Sequence, residues 1–239
     1  GVYEKLVELA PDLCVMAFVT DIVPEPILNI PRLGTIQYHP SLLPRHRGRS
    51  AINWAIINGD TKTGITILWP DAGIDTGPIL LQKEAVISPT DTVGSLYYDK
   101  LCPLGVEAII ETIDLIREGK APRITQDESQ ATYERPCREK DAIIDWVKPV
   151  VQVYNLIRGT NPQPGATTSL RGQKLKIFDS ELLTQGVSAT PGEIIEPSEK
   201  GIIVAGKGGR LLIKRVQPQG QPKISSAEYA ITIGLKAGD

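Results

Sequence analysis

Aromatic side chains are scarce, at 5% of 239 residues, and methionine occurs once. Any core must therefore be aliphatic, and a hydrophobic content of 41% is enough to build one. Cysteine appears three times, as Cys14, Cys102 and Cys137, widely spaced and with no C-x-x-C pair. That argues against a disulfide framework or a thiolate zinc site and fits a reducing cytoplasm. No apolar run approaches the roughly 20 residues of a membrane-spanning helix. No signal peptide is visible, although the first residue is Gly1 rather than Met. A strong positive charge is also missing. The formal net charge is -2 with a pI near 5.8, which excludes a globally basic nucleic-acid binder but not a local basic patch. The balance shifts along the chain: residues 1–138 carry 13 basic against 18 acidic side chains, and residues 139–239 carry 13 against 10. An anionic partner would therefore meet the back of the chain, although ordinary scatter explains a difference this small.

The length suits two domains. Val2–Ala10 has apolar residues at helical spacing and ends at Pro11-Asp12. Leu13–Val19 is a continuous apolar run, the pattern of a strand buried on both faces. A Pro-rich stretch with a short helical piece covers Ile22–Leu33, and Thr35–His39 reads as a strand. Ser50 is placed to cap a helix over Ala51–Asn58. Strands are expected at Gly64–Trp69 and Ile79–Ile87, then a long helix from Thr90 or Asp91 to Arg117, closed by Gly119. Strands alternating with helices make this an α/β domain, assigned to residues 1–121. Residues 122–141 are polar and Pro-containing and read as an interdomain linker. Residues 142–239 combine one helix, Val150–Arg158, with β-like runs at Ala166–Leu170, Lys174–Ser180, Gly192–Glu196, Gly201–Ala205 and Arg210–Gln217. Turn signals at short intervals suit a small all-β barrel or sandwich.

The two histidines, His39 and His46, lie within one short segment. Alternation along a strand puts Thr35, Gln37 and His39 on one face. An imidazole serves as acid, base or donor near neutral pH, and an amide beside it could help hold a developing oxyanion. The bland alternative is a histidine satisfied at a polar edge, and the same reading is favoured for His46. Two prolines stiffen the loop after His39, at a strand carboxyl end where open α/β sheets bind ligands. Arg45, Arg47 and Arg49 make a positive patch that is either solvated or able to hold an anionic tail. Asp71–Gly77 is a loop rich in glycine and acid. Asp75 in it is either a turn residue or a partner that raises the His39 pKa and fixes its tautomer.

His39–Gly48 (HPSLLPRHRG), Asn53–Asp60 (NWAIINGD) and Gly73–Gly77 (GIDTG) together resemble the folate-dependent formyltransferases. In that family a histidine before the SLLP loop works with an aspartate 36 residues later, the spacing of His39 and Asp75 here. Ile144-Asp145-Trp146, Asn155–Gly159 (NLIRG), Asn161–Gly165 (NPQPG) and Ser226–Tyr229 are similar to the carboxyl-terminal domain shared by methionyl-tRNA formyltransferases and 10-formyltetrahydrofolate dehydrogenase.

The resemblance implies a Rossmann-like formyltransferase domain followed by an open, OB-like β-barrel over residues 142–239, with the family's first βαβ units expected upstream of Gly1. It implies 10-formyltetrahydrofolate as co-substrate, with no metal and no nicotinamide. Its pterin is expected against Met16, Ala17, Phe18, Val19 and Ile22 and against the loop Asp71, Ala72, Gly73, Ile74 and Asp75. His39 is expected to polarise the formyl oxygen, and Asp75 to tune His39 and shuttle the proton of the attacking amine or water. The third catalytic position, Gln37, departs from the asparagine usual in the transferases; the dehydrogenase's hydrolase domain has an aliphatic residue there. The acceptor implied first is the amino group of methionyl-tRNA. Water, as in a formyl-folate hydrolase, is the alternative, and an inactive folate-binding fragment is a third reading. Sugar-nucleotide formyltransferases share the site loops, whereas glycinamide ribonucleotide formyltransferase should lack the carboxyl-terminal barrel.

Overall fold

The computed structural model describes residues 1–19, 21–183 and 189–239. The chain forms two compact units. One holds Gly1–Ile52, Thr61–Ile87 and Ser95–Pro136; the other holds Asn53–Asp60, Ser88–Gly94 and Cys137–Asp239.

In the first unit, α1 (Val2–Leu9) leads to β1 (Cys14–Met16), and α2 (Glu25–Leu28) to β2 (Thr35–His39). After β3 (Arg47–Gly48), the chain passes through α3 (Ala51–Ile57) into β4 (Lys62–Leu68) and β5 (Ile79–Val86). The sheet order is β1-β2-β4-β5. Only β1 and β2 run parallel; β4 and β5 are antiparallel to their neighbours, so the sheet is mixed. The long helical pattern is realised in three parts: α4 (Val93–Ser95), a π-turn over Leu96–Leu101, and α5 (Cys102–Arg117). Pro103 sits in the first turn of α5, just after the π-turn. α5 packs on β4 and β5. The apolar face of β2 carries Ile36 and Tyr38, with Gly105 of α5 against the Tyr38 ring. Ile65, Ile67 and Leu68 complete a core that is aliphatic apart from a few rings. A fully buried side chain of this size stabilises by about 1.5–3 kcal/mol.

The run Leu13–Val19 does not make the doubly buried strand that its composition suggests. The strand is three residues long and half exposed, because β1 is the edge of the sheet as described. Val15, Phe18 and Val19 are exposed, and no residue of α1 is buried.

The polar stretch read as a linker is largely built into the first unit. Ile124 bridges Ile79, and β6 (Tyr133–Glu134) pairs with β3. Of its polar side chains Gln126 is buried and Glu134 half-buried, while most of the others are exposed. The boundary between the units falls after Pro136.

The second unit has α6 (Val150–Gly159) and two four-stranded sheets. One has the order β14-β13-β8-β7, with β7 (Ala166–Leu170), β8 (Gln173–Ile177), β13 (Arg215–Pro218) and β14 (Ile224–Ser225). The other has the order β10-β11-β12-β9, with β9 (Ser180–Leu183), β10 (Ile194–Ser198), β11 (Gly201–Gly206) and β12 (Gly209–Ile213). Ile157, Leu211, Ile213 and Val216 lie at the centre of the shared core. Two runs expected as single strands, Lys174–Ser180 and Arg210–Gln217, are each broken so that their halves enter different sheets. At the breaks, Lys214 N and Arg215 N both donate to the Asp179 carbonyl (2.7 and 3.3 Å). α7 (Ser226–Thr232) closes the unit, its Ser226 hydroxyl donating to the Ile213 carbonyl (2.5 Å). Among the described residues no helix is long and apolar enough to cross a membrane.

Candidate active site

β2 runs between β1 and β4, and its polar face carries Gln37 and His39. His39 is 4% exposed at the carboxyl end of the strand. Its Nε2 lies 2.8 Å from the His46 carbonyl oxygen, which can only accept, so Nε2 carries the proton. The other ring nitrogen, Nδ1, lies 3.4 Å from Asp75 Oδ2. Asp75 is buried as well, at 9% exposure. Its Oδ1 accepts from the Gln37 amide (2.6 Å) and its Oδ2 from the Gly48 backbone N–H (2.8 Å).

Burial depresses the His39 pKa below its ordinary 6.5, and this outweighs the attraction of Asp75 and the His46 carbonyl, which push it up. The upward shift expected from Asp75 is therefore present but is not the net result. The imidazole is neutral near pH 7, with Nδ1 bare and turned toward a carboxylate. Such a pair has room for one proton between its two members.

The loop after His39 is pinned from beneath. The Thr66 hydroxyl on β4 donates to the Ser41 carbonyl (2.7 Å) and accepts from Leu43 N (3.1 Å) and Gln82 Nε2 (2.8 Å). Gln82 also donates to the Leu43 carbonyl (2.9 Å). From the side, the Thr132–Glu134 segment holds it: Arg47 N donates to the Thr132 carbonyl (2.9 Å), and His46 Nδ1 meets Glu134 Oε1 at 2.7 Å. His46 is thus satisfied by its neighbours. Arg47 is neither solvated nor open to an anionic tail: it is fully buried, and its guanidinium is paired with Glu128.

The second loop folds around Asp71, whose Oδ1 accepts from Gly73 N (3.0 Å) and the Thr76 hydroxyl (2.6 Å). Asp75 itself has φ of 55°, a left-handed conformation uncommon for a residue with a side chain.

The structure thus brings Gln37, His39 and Asp75 together: the Gln37 amide donates to Asp75, and His39 Nδ1 faces the same carboxylate at 3.4 Å. Met16 pairs with Gln37 across the parallel strands and is half-buried on the same face. Ala17, Val19, Ile22, Asp71, Ala72, Gly73 and Ile74 are all exposed. Phe18 is exposed too, but its ring packs against Tyr38 (5.8 Å) and Tyr97 (5.2 Å), on the side of β2 away from His39. Sequence reasoning missed Thr66, Gln82, Gln126 and Glu134. The first two are single polar residues within strands, and the others lay in a stretch whose polarity read as solvation.

Comparison with known proteins finds relatives along most of the chain. A family model described as "Formyl transferase" matches residues 1–113, and one described as "Formyl transferase, C-terminal domain" matches residues 137–233. A methionyl-tRNA formyltransferase of Geobacter sulfurreducens is 40% identical over 235 residues, covering 98% of this chain and 73% of that protein. The chain belongs to the folate-dependent formyltransferase family. A second formyltransferase-related protein, the cytosolic 10-formyltetrahydrofolate dehydrogenase of Mus musculus, is 42% identical over 237 residues, covering 95% of this chain but only 26% of that protein. Solved structures share the fold. HypX from Aquifex aeolicus in complex with tetrahydrofolic acid superposes with a TM-score of 0.77 at 20% identity, over 95% of this chain and 40% of that one. An N-formyltransferase of Helicobacter canadensis, in complex with folinic acid and dTDP-3-aminofucose, gives 0.68 at 22% identity, over 88% and 77%.

Proposed function

We propose that this formyltransferase-family chain moves the formyl group of 10-formyltetrahydrofolate to the amino group of methionyl-tRNA, with Gln37, His39 and Asp75 as its catalytic group. The observation that carries this is the buried His39–Asp75 pair, a neutral imidazole whose bare Nδ1 faces a carboxylate 3.4 Å away. The attacking amine nitrogen bonds to the formyl carbon, and the carbonyl oxygen becomes an oxyanion. The amine must lose a proton, and N10 of the departing folate must gain one. A pair with room for one proton takes it from the amine and returns it to N10, so the step balances without another reactant. The Gln37 amide spends one N–H on Asp75 and offers its second to the oxyanion on the polar face of β2. The pterin rests on Met16 of β1, on Ala17, Val19 and Ile22, and on the exposed loop Asp71–Ile74. In the second unit, two sheets around one core form an OB-like barrel that meets the tRNA.

Support for methionyl-tRNA as acceptor comes from the Geobacter relative, which this chain matches across both family domains. A second reading, hydrolysis to formate, is favoured by two observations. The mouse dehydrogenase is equally similar. One N–H of the Gln37 amide is committed to Asp75. Water would then take the place of the amine. The test is tetrahydrofolate release from 10-formyltetrahydrofolate with and without charged initiator tRNA. We expect release that requires the charged tRNA and is lost in His39→Ala and Asp75→Asn. Full-rate release without any acceptor establishes the hydrolase instead. A parent-like rate in both variants removes these residues from the chemistry.

A further inference from the structure

Asp75 has a left-handed backbone, and a non-glycine residue stays there only where its surroundings hold it. The group that holds it is Gln126, a buried side chain from the stretch read as a linker. Gln126 Nε2 donates to two carbonyls of the second loop, those of Asp75 (2.8 Å) and Gly77 (2.7 Å). Its Oε1 accepts from Arg47 Nε (3.1 Å) and Nη2 (2.8 Å). The two ends of an amide are alike in shape, so its direction is set by its partners. Arg47 can only donate, and the loop carbonyls can only accept; the amide fits one way round. Arg47 is in turn fixed by Glu128, through Nη1 (2.9 Å) and Nη2 (2.6 Å), and its Nη1 also donates to the Tyr133 hydroxyl (2.8 Å).

We infer that Gln126, locked in orientation by Arg47 and Glu128, is a positioning residue that sets the Asp75 carboxylate against His39. This rests on the catalytic reading of Asp75 and His39 given above. Gln126 touches the backbone of Asp75, not the reacting atoms. Without it, two buried carbonyls lose their donor, the loop leaves its left-handed turn, and Oδ2 moves away from Nδ1. A displacement of about 1 Å in a reacting group can cost on the order of 100-fold in rate.

The test is Gln126→Met in the full chain, which keeps length and removes the amide. We expect kcat to fall on the order of tenfold to 100-fold, with the KM for 10-formyltetrahydrofolate changed less than about twofold, the split of a misplaced catalytic group. In an Asp75→Asn background the same substitution should cost little, since its effect passes through Asp75. A readout independent of turnover is the 15N resonance of His39 Nδ1, readable because the chain has two histidines. It should move in Gln126→Met in the same direction as in Asp75→Asn. An unmoved resonance overturns the inference whether or not the chain transfers formyl groups. A moved resonance in a chain without formyl transfer keeps the inference and sinks the proposed function. Should Gln126→Met not fold, Glu128→Gln decides: Glu128 is 69% exposed, and loosening Arg47 from outside should move the same resonance less, in the same direction.

Discussion

At the scale of single residues, the site is governed by a contest over one proton. Desolvation favours a neutral His39, and Asp75 favours a charged one; desolvation prevails. Two consequences follow from the sign. The folded pKa lies below the ordinary 6.5, so between the two values the unfolded chain binds a proton that the folded chain refuses. Stability contributed by neutral His39 is complete above about pH 6.5 and is lost as pH falls from there toward the folded pKa. Activity that needs neutral His39 survives into the same range. We therefore expect the acid limb of kcat to lie below pH 6.5, together with a loss of unfolding free energy on acidification that is smaller in His39→Gln. An acid limb at or above 6.5 contradicts the burial argument, since it would mean that Asp75 outweighs desolvation. The pairing of His39 with Asp75 was legible in the sequence because the motif spacing carried it. The direction of the pKa shift was not, because burial depends on the loop after His39 being held by Thr66, Gln82 and the Thr132–Glu134 segment, and none of these is near it in sequence.

At the scale of elements, periodicity located what the backbone alone decides. Thr35–His39 and Ala166–Leu170 are strands with the bounds read from the sequence. What it missed depends on distant partners. The two bends around Asp179 and Lys214 support each other, so neither is visible alone. The stretch 122–136 looked like a solvated connector because polarity is the same whether it meets water or Arg47. The Gly73–Gly77 loop shows how an element can need one glycine more than another. A Cβ at Gly77 would run into the Trp69 carbonyl, a backbone atom that cannot swing aside. A Cβ at Gly73 would meet the Thr76 side chain, which can. Gly77→Ala should therefore destabilise by about 2–3 kcal/mol, in the range of overpacking. It should also lower turnover, because the Gly77 carbonyl shares Gln126 with Asp75. Gly73→Ala should cost clearly less than Gly77→Ala in a denaturant titration. The reverse order would mean that the loop is not held where its hydrogen bonds place it.

At the scale of the whole molecule, units and sequence segments do not coincide. The second unit takes Asn53–Asp60 and Ser88–Gly94 from the front of the chain. A clean cut after residue 136 therefore removes part of its structure. Asn53 Nδ2 donates to the Gly159 carbonyl (2.8 Å), and the Tyr154 hydroxyl donates to the Pro89 carbonyl (3.0 Å). The clearest case is Arg158, 7% exposed on α6. Its Nη1 donates to the carbonyls of Asp91 (2.8 Å) and Ser88 (3.3 Å), while Nη2 binds Asn155 Oδ1 (2.8 Å). Burial lowers its pKa, so holding this charge inside costs energy that the two carbonyls offset. In the whole chain Arg158→Met should destabilise by about 2 kcal/mol, the loss of hydrogen bonds to a charged donor. In a piece carrying only residues 137–239 both carbonyls are absent. The same substitution there should be close to neutral, since Met keeps the apolar stem and no charge needs satisfying. Urea titrations of the four proteins measure the difference. Equal losses in the two backgrounds would mean that Arg158 acts through packing within α6, and that residues 137–239 hold their fold without the borrowed segments.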